Sequence, residues 1–163
     1  MRLFKIPSQI EQDNAWRPGS PCRCCVRREG ETRKWREELQ KYIWIALGGA
    51  LGALARVWVG SAVSERMGTR FPYGTFVINI TACVLIGFSL EFLDQHVELN
   101  PSWRYLIPTG FIGAYSTFST FEWETFSNLQ IGSFLIAGSY VGLSLVLGLV
   151  GVWCGVRMAK WLP

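Results

Sequence analysis

The chain has 163 residues, half of them hydrophobic, with 17 glycines and a single histidine. Ten of the sixteen Lys/Arg and six of the twelve Asp/Glu fall in residues 1–41, so the mean hydropathy of +0.22 understates the apolar body that follows. A water-soluble domain of that length cannot hide so much apolar surface. This excludes an ordinary soluble enzyme, and one histidine leaves little room for a His-rich metal site or a triad.

In chain order, residues 1–41 read as a polar, mostly disordered N-terminal extension. It has no apolar core of secretory type, and its acidic residues do not suit a transit peptide. Prolines, glycines and charges keep it loose up to about Gly30. From Glu31 to Lys41 the residues are good helix formers, and Trp35, Leu39 and Tyr42 fall near helical spacing, so this stretch is expected on a membrane surface. Cys22, Cys24 and Cys25 form a C-R-C-C cluster. No second pair and no nearby histidine completes a zinc tetrad, and free thiols are the expectation.

The body, residues 42–163, is set by its uncharged runs. Phe71–Leu90, Tyr105–Phe121 and Thr125–Val156 carry no charge, and Tyr42–Ser64 carries only Arg56. A bilayer core needs about 20 mostly apolar residues per helix. Four spans are predicted: Tyr42–Val63, Thr75–Leu93, Tyr105–Phe121 and Ile131–Val156. Trp44, Trp58, Trp103, Trp123, Trp153 and Trp161 stand near the run ends, as an aromatic belt would. Cys83 and Cys154 lie inside spans and read as packing residues. Four spans put both termini on one side. There the body carries Lys41, Arg104, Arg157 and Lys160, against Arg66 and Arg70 opposite. Four against two is a weak orientation signal, open to insertion either way up. Counting Arg33, Lys34 and Arg36 of the extension makes the bias strong.

The third span is the oddest. Gly110–Phe121 (GFIGAYSTFSTF) puts glycines and hydroxyls into a membrane segment and weakens a continuous helix. Irregular backbone at membrane depth survives only where protein shields it or where it lines a watery path. Such interruptions make ion sites, though small residues and hydroxyls also serve helix contacts. Asn79 must find a partner: its two N–H donors suit an anion and equally suit a neighbouring helix. Tyr140 and Ser144 are four apart on one helix face, a track of hydroxyls or plain packing. Phe118 and Phe121 share a face. Their ring edges carry positive charge, which suits an anion, and a core position suits them too. Arg56 is the cation inside a span, drawing anions, paired or snorkelling. Glu91, Glu122 and Glu124 sit near span ends, so no mid-span carboxylate supports proton-coupled transport.

In order, the motifs GGALGALAR (Gly48–Arg56), YGTFVINITACVLIG (Tyr73–Gly87), GFIGAYSTFSTFEWE (Gly110–Glu124) and YVGLS (Tyr140–Ser144) resemble the small dual-topology fluoride channels, the Fluc or CrcB family. The resemblance covers about Tyr42 to Leu162. It implies an all-α membrane protein of four transmembrane helices with a break in the third, paired into an antiparallel dual-topology dimer with two fluoride pores. It implies an ion pathway of Asn79, Phe118, Ser119, Thr120, Phe121, Tyr140 and Ser144. A structural sodium ion would be held by the backbone carbonyls of Gly113 and Ser116. Arg56 and Glu124 match charged positions with vestibule or structural roles. Ser116 stands where the family usually has threonine, which leaves carbonyl binding intact. Ala82 and Ala114 replace glycines, and Gly148 shortens the hydroxyl track of the fourth helix.

The expected function is passive, fluoride-selective export that lowers cytoplasmic fluoride, from a multi-pass position in a cell inner membrane or plasma membrane. The expected partners are fluoride, lipid and a second subunit. That subunit is a copy in an antiparallel homodimer, or an oppositely oriented paralogue if the basic extension fixes orientation. No enzyme activity and no nucleic-acid partner is expected. The alternative is a small dual-topology multidrug-type exporter, which needs a carboxylate in its first helix that this chain lacks. A non-transporting assembly subunit is a further alternative.

Overall fold

The computed structural model describes residues 23–68 and 70–162. The stretch 1–22, including Cys22, lies outside the described residues, as do the side chains of Cys24 and Cys25. The elements in order are α1 (Arg23–Met67), α2 (Tyr73–Gln95), a short α3 (Ser102–Arg104), a wide π-helical stretch (Tyr105–Ile112), a short α4 (Gly113–Tyr115), α5 (Phe118–Gln130) and α6 (Phe134–Ala159). Helix α1 begins at Arg23 rather than Glu31, because no proline follows Pro21 until Pro72. Among the described residues, three helices are long and apolar enough to cross a membrane: Lys34–Met67, Tyr73–Gln95 and Phe134–Ala159. The chain is an all-helical, multi-pass membrane protein.

Turn chemistry sets the helix ends. Gly68 has φ +80 and donates its N–H to the Ser64 carbonyl at 3.0 Å, closing α1 as a left-handed glycine does. Pro72 then stands directly before α2. Gly132, at φ +77, turns the chain between α5 and α6, so α6 starts at Phe134, three residues later than the sequence suggested. Pro108 explains the wide stretch: it has no N–H to give the Arg104 carbonyl. The Thr109 hydroxyl donates to that carbonyl at 3.1 Å instead.

Packing follows membrane rules. Between helices already in lipid there is little hydrophobic drive, so close backbone approach does the work. Helices α2 and α6 meet where a side chain at Gly87 would strike the backbone of Val152, and one at Gly155 that of Val84. Gly48 and Gly52, one turn apart on α1, sit likewise against the backbone of Leu106 and Phe111. The core is a cluster of Ile78, Ala82, Ile112 and Tyr115, flanked by Ala55, Val59, Ile86, Ile107 and Phe111. It pins the π-helical stretch to α2. Many large apolar side chains face outward, among them Leu54, Leu135, Leu145 and Leu149.

Candidate functional site

The site begins with two residues that leave the helix. Ser116 (φ −71, ψ 158) and Thr117 (φ −149, ψ 109) are extended between α4 and α5. In an unbroken helix the Thr117 N–H would donate to the Gly113 carbonyl and the Thr120 N–H to that of Ser116. Here the Thr117 N–H donates to Asn79 Oδ1 at 3.0 Å, and the Thr120 N–H donates to Thr117 Oγ1 at 3.4 Å. The Gly113 and Ser116 carbonyls thereby lose their helical donors. Asn79 Nδ2 in turn donates to the Thr117 carbonyl at 3.1 Å. One amide side chain on α2 thus bonds both backbone groups of a buried residue, as a neighbouring strand would. An amide carries two N–H donors; one is used on Thr117.

Around this junction lies a cavity of about 370 Å³. Asn79 reaches it from α2, Gly113 and Ser116 from the interrupted segment, Phe118 and Phe121 from α5, and Ser144 from α6. These residues are spread over 66 positions of sequence, from 79 to 144, and the fold brings them to one hollow. Phe118 is 73% exposed and Phe121 is buried, with ring centroids 6.0 Å apart at 36°. Cys83, read from sequence as a packing residue, also lines the cavity. Ser119 and Thr120 are exposed beside it, outside its lining. The Thr120 hydroxyl lies 2.9 Å from that of Thr117.

A second polar cluster is centred on Glu124. Thr75 Oγ1 donates to Glu124 Oε1 and Tyr140 Oη donates to Glu124 Oε2, each at 2.8 Å. Tyr140 has no solvent exposure and is wedged between Phe71 (ring centroids 5.3 Å, edge-on) and Phe121 (4.9 Å). Tyr140 and Ser144, although one turn apart on α6, therefore have different surroundings: the first is locked onto a carboxylate, the second borders the cavity. Phe121 connects them, lining the cavity and touching the tyrosine ring. Arg56 is partly buried on α1 and has no ion pair among the described residues.

Sequence reasoning missed two residues. Thr75 carries no signal, being one hydroxyl in the first turn of a span. Thr117 lies inside the serine- and threonine-rich run, but nothing in that run marks which hydroxyl caps α5. As for a cation, no three His, Cys, Asp or Glu converge among the described residues. The groups suited to one are the two carbonyls stripped of their helical donors, hard oxygen ligands of the kind hard cations take.

Helices that cross a membrane repeatedly, around a junction of freed carbonyls, hydroxyls and an amide, define a class: a small multi-pass membrane protein with a polar site at depth. The chain belongs to the CrcB-like family, whose model (CrcB-like protein, Camphor Resistance) matches residues 43–156. Among curated relatives, a protein named fluoride-specific ion channel FluC from Acidobacterium capsulatum is 61% identical over 116 residues, 71% of this chain and 93% of the relative. Proteins of the same name from Solibacter usitatus and Chloroflexus aurantiacus are 43% and 42% identical, over 74% and 72% of this chain and 98% and 93% of theirs.

Proposed function

We propose that residues 42–163 form the subunit of a fluoride-selective channel, a passive conductor that lets the anion leave the cell and lowers its cytoplasmic concentration. The observation that carries this reading is the single hollow where Asn79, Phe118, Phe121 and Ser144 meet, in a chain that shares up to 61% identity with proteins named for fluoride conduction. Fluoride is small and strongly hydrated, so a path through lipid must replace its water with donors while holding it loosely enough for release. The second N–H of Asn79, the Ser144 hydroxyl, the Ser119 and Thr120 hydroxyls and the phenyl edges of Phe118 and Phe121 are such donors. Tyr140 continues the track towards Glu124, whose carboxylate, with Arg56, shapes the field at the pathway's mouth.

The hollow is not enclosed within the subunit, and polar groups at membrane depth cannot face acyl chains. A second subunit inserted the other way up closes it, which makes the functional unit an antiparallel dimer in a cell inner or plasma membrane. The carbonyls of Gly113 and Ser116 would hold a structural sodium ion at its centre. Such an ion would supply positive charge to two carbonyl oxygens that have lost their helical donors, and Ser116 would serve as well as threonine because the ligand is backbone.

The test is the purified protein in liposomes, with anion efflux followed by a fluoride electrode. Rapid fluoride release with chloride retained is the expected result. Chloride passing as fast as fluoride overturns selectivity, and no flux at all overturns the channel.

A further inference from the structure

The structure sorts the cations of the body by end. Lys41 Nζ sits 5.8 Å over the Tyr105 ring. Arg104 binds the Leu93 carbonyl and the Asp94 carboxylate at the close of α2. Lys160 Nζ lies 3.6 Å from Glu91 Oε1. The start of the first span, the end of α2, the start of the third segment and the end of α6 therefore share one end, and Arg157 of the last turn of α6 belongs with them. The other end is fixed as firmly: Gly74 packs on Gly60 and Ser64, and Phe71 on Tyr140. Arg66 closes α1 there, and Arg70 follows in the connection to α2. The body thus holds four cations at the first end against two at the second.

The extension changes that balance. Arg23, Arg27, Arg28, Arg33, Lys34 and Arg36 all precede Tyr42 by fewer than 20 residues, within the roughly 15–20 residues over which flanking Lys and Arg set orientation. They precede the first crossing, so they count with Lys41. Ten cations then oppose two. The extension also lies outside the part that the family model matches, residues 43–156.

We propose that the N-terminal extension is an orientation lock: it holds both termini in the cytoplasm and suppresses the inverted insertion that the body alone permits. One consequence rests on the antiparallel reading given above. A locked chain cannot supply its own inverted copy in the cell. Its partner is then a second chain of the same fold whose cations lie at the opposite end, or lie evenly.

The experiment uses the full chain in a bacterial membrane, with either of two C-terminal reporters. One is a fluorescent protein that matures only in the cytoplasm, the other a phosphatase active only on the far side. The wild-type chain should fluoresce and give background phosphatase activity. Replacing Arg23, Arg27, Arg28, Arg33, Lys34 and Arg36 together by Gln should raise phosphatase activity about tenfold or more, as the bias falls back to four against two. A lighter variant carrying only R33Q, K34Q and R36Q should fall between and guards against poor folding of the full set. Far-side activity in the wild type comparable to the neutralised variant overturns the lock, as does a neutralised variant that stays one-sided. The readout involves no anion flux. Detergent-extracted chains re-enter liposomes without the insertion machinery, so a failed channel and a failed lock are told apart.

Discussion

The join between α2 and α6 and the join between α2 and the interrupted third segment solve the same problem by opposite means. Along α2–α6 both backbones are regular and self-satisfied, and contact is made by deleting side chains: Gly87 meets Val152 and Gly155 meets Val84, main chain to main chain. At the third segment the backbone is irregular, and contact is made by a polar side chain, Asn79, that completes Thr117. In lipid, where apolar contact between helices adds little, close packing and backbone satisfaction are the available stabilisers. One region uses the first and is rigid scaffold. The other uses the second and frees carbonyls and hydroxyls for a ligand.

The comparison can be broken at its scaffold first. Gly87→Leu pushes a side chain into the Val152 backbone, and overpacking of this kind costs about 1–3 kcal/mol or more. The variant should be poorly recovered from membranes and unfold early in detergent. Gly138→Leu, where an added Cβ would meet nothing within 4 Å, should behave as wild type. Equal recovery of the two would show that close approach at Gly87 is not what holds α2 to α6.

Next comes Asn79. Asn79→Leu leaves the buried N–H of Thr117 unpaired, at about 1–3 kcal/mol, and takes away the second donor to the Thr117 carbonyl, which as the α5 N-cap keeps its helical bond. A lowered unfolding midpoint should come with strongly reduced fluoride efflux. Asn79→Asp keeps the acceptor for the Thr117 N–H and loses the donor, so its midpoint should lie between the two while flux stays low. If Asn79→Leu unfolds like wild type, the amide is not what holds the junction.

Tyr140→Phe removes one hydrogen bond to the Glu124 carboxylate, about 1.5–3 kcal/mol for a bond to a charged group, and keeps the ring packed on Phe71 and Phe121. Slower efflux from liposomes is expected, with the protein still folded. The smallest stability effect, within about 0.5 kcal/mol, is expected of Phe118→Ile, because that ring is 73% exposed in the subunit. Its fluoride flux should nevertheless fall. Unchanged flux would remove Phe118 from the pathway and leave its exposure to lipid or to a partner subunit.

How much of this was legible beforehand depended on range. The membrane class and the three long helices were readable because charge-free runs and spacing are local properties. The oddness of Gly110–Phe121 was readable for the same reason: glycines and hydroxyls at membrane depth are visible residue by residue. Asn79, Phe118, Phe121 and Ser144 could be picked out as candidates, yet their convergence on one hollow could not be derived from spacing. The start of α1 at Arg23, ahead of Gly30, escaped because prolines, glycines and charges together mark that stretch as loose, whereas the last proline before it is Pro21 and one glycine inside a helix costs only about 1 kcal/mol.

What the chain's composition and periodicity determined by themselves is the solvent this protein lives in and the number of polar anomalies it carries there, since every residue's transfer to lipid is assessed separately. What only the tertiary structure decided is the pairing of those anomalies: Thr117 with Asn79, Glu124 with Thr75 and Tyr140, Arg104 and Lys160 with the far end of α2. A buried polar group must be matched somewhere, but which group matches it is fixed by how the helices cross, and the crossing is set by glycines whose partners lie on other helices.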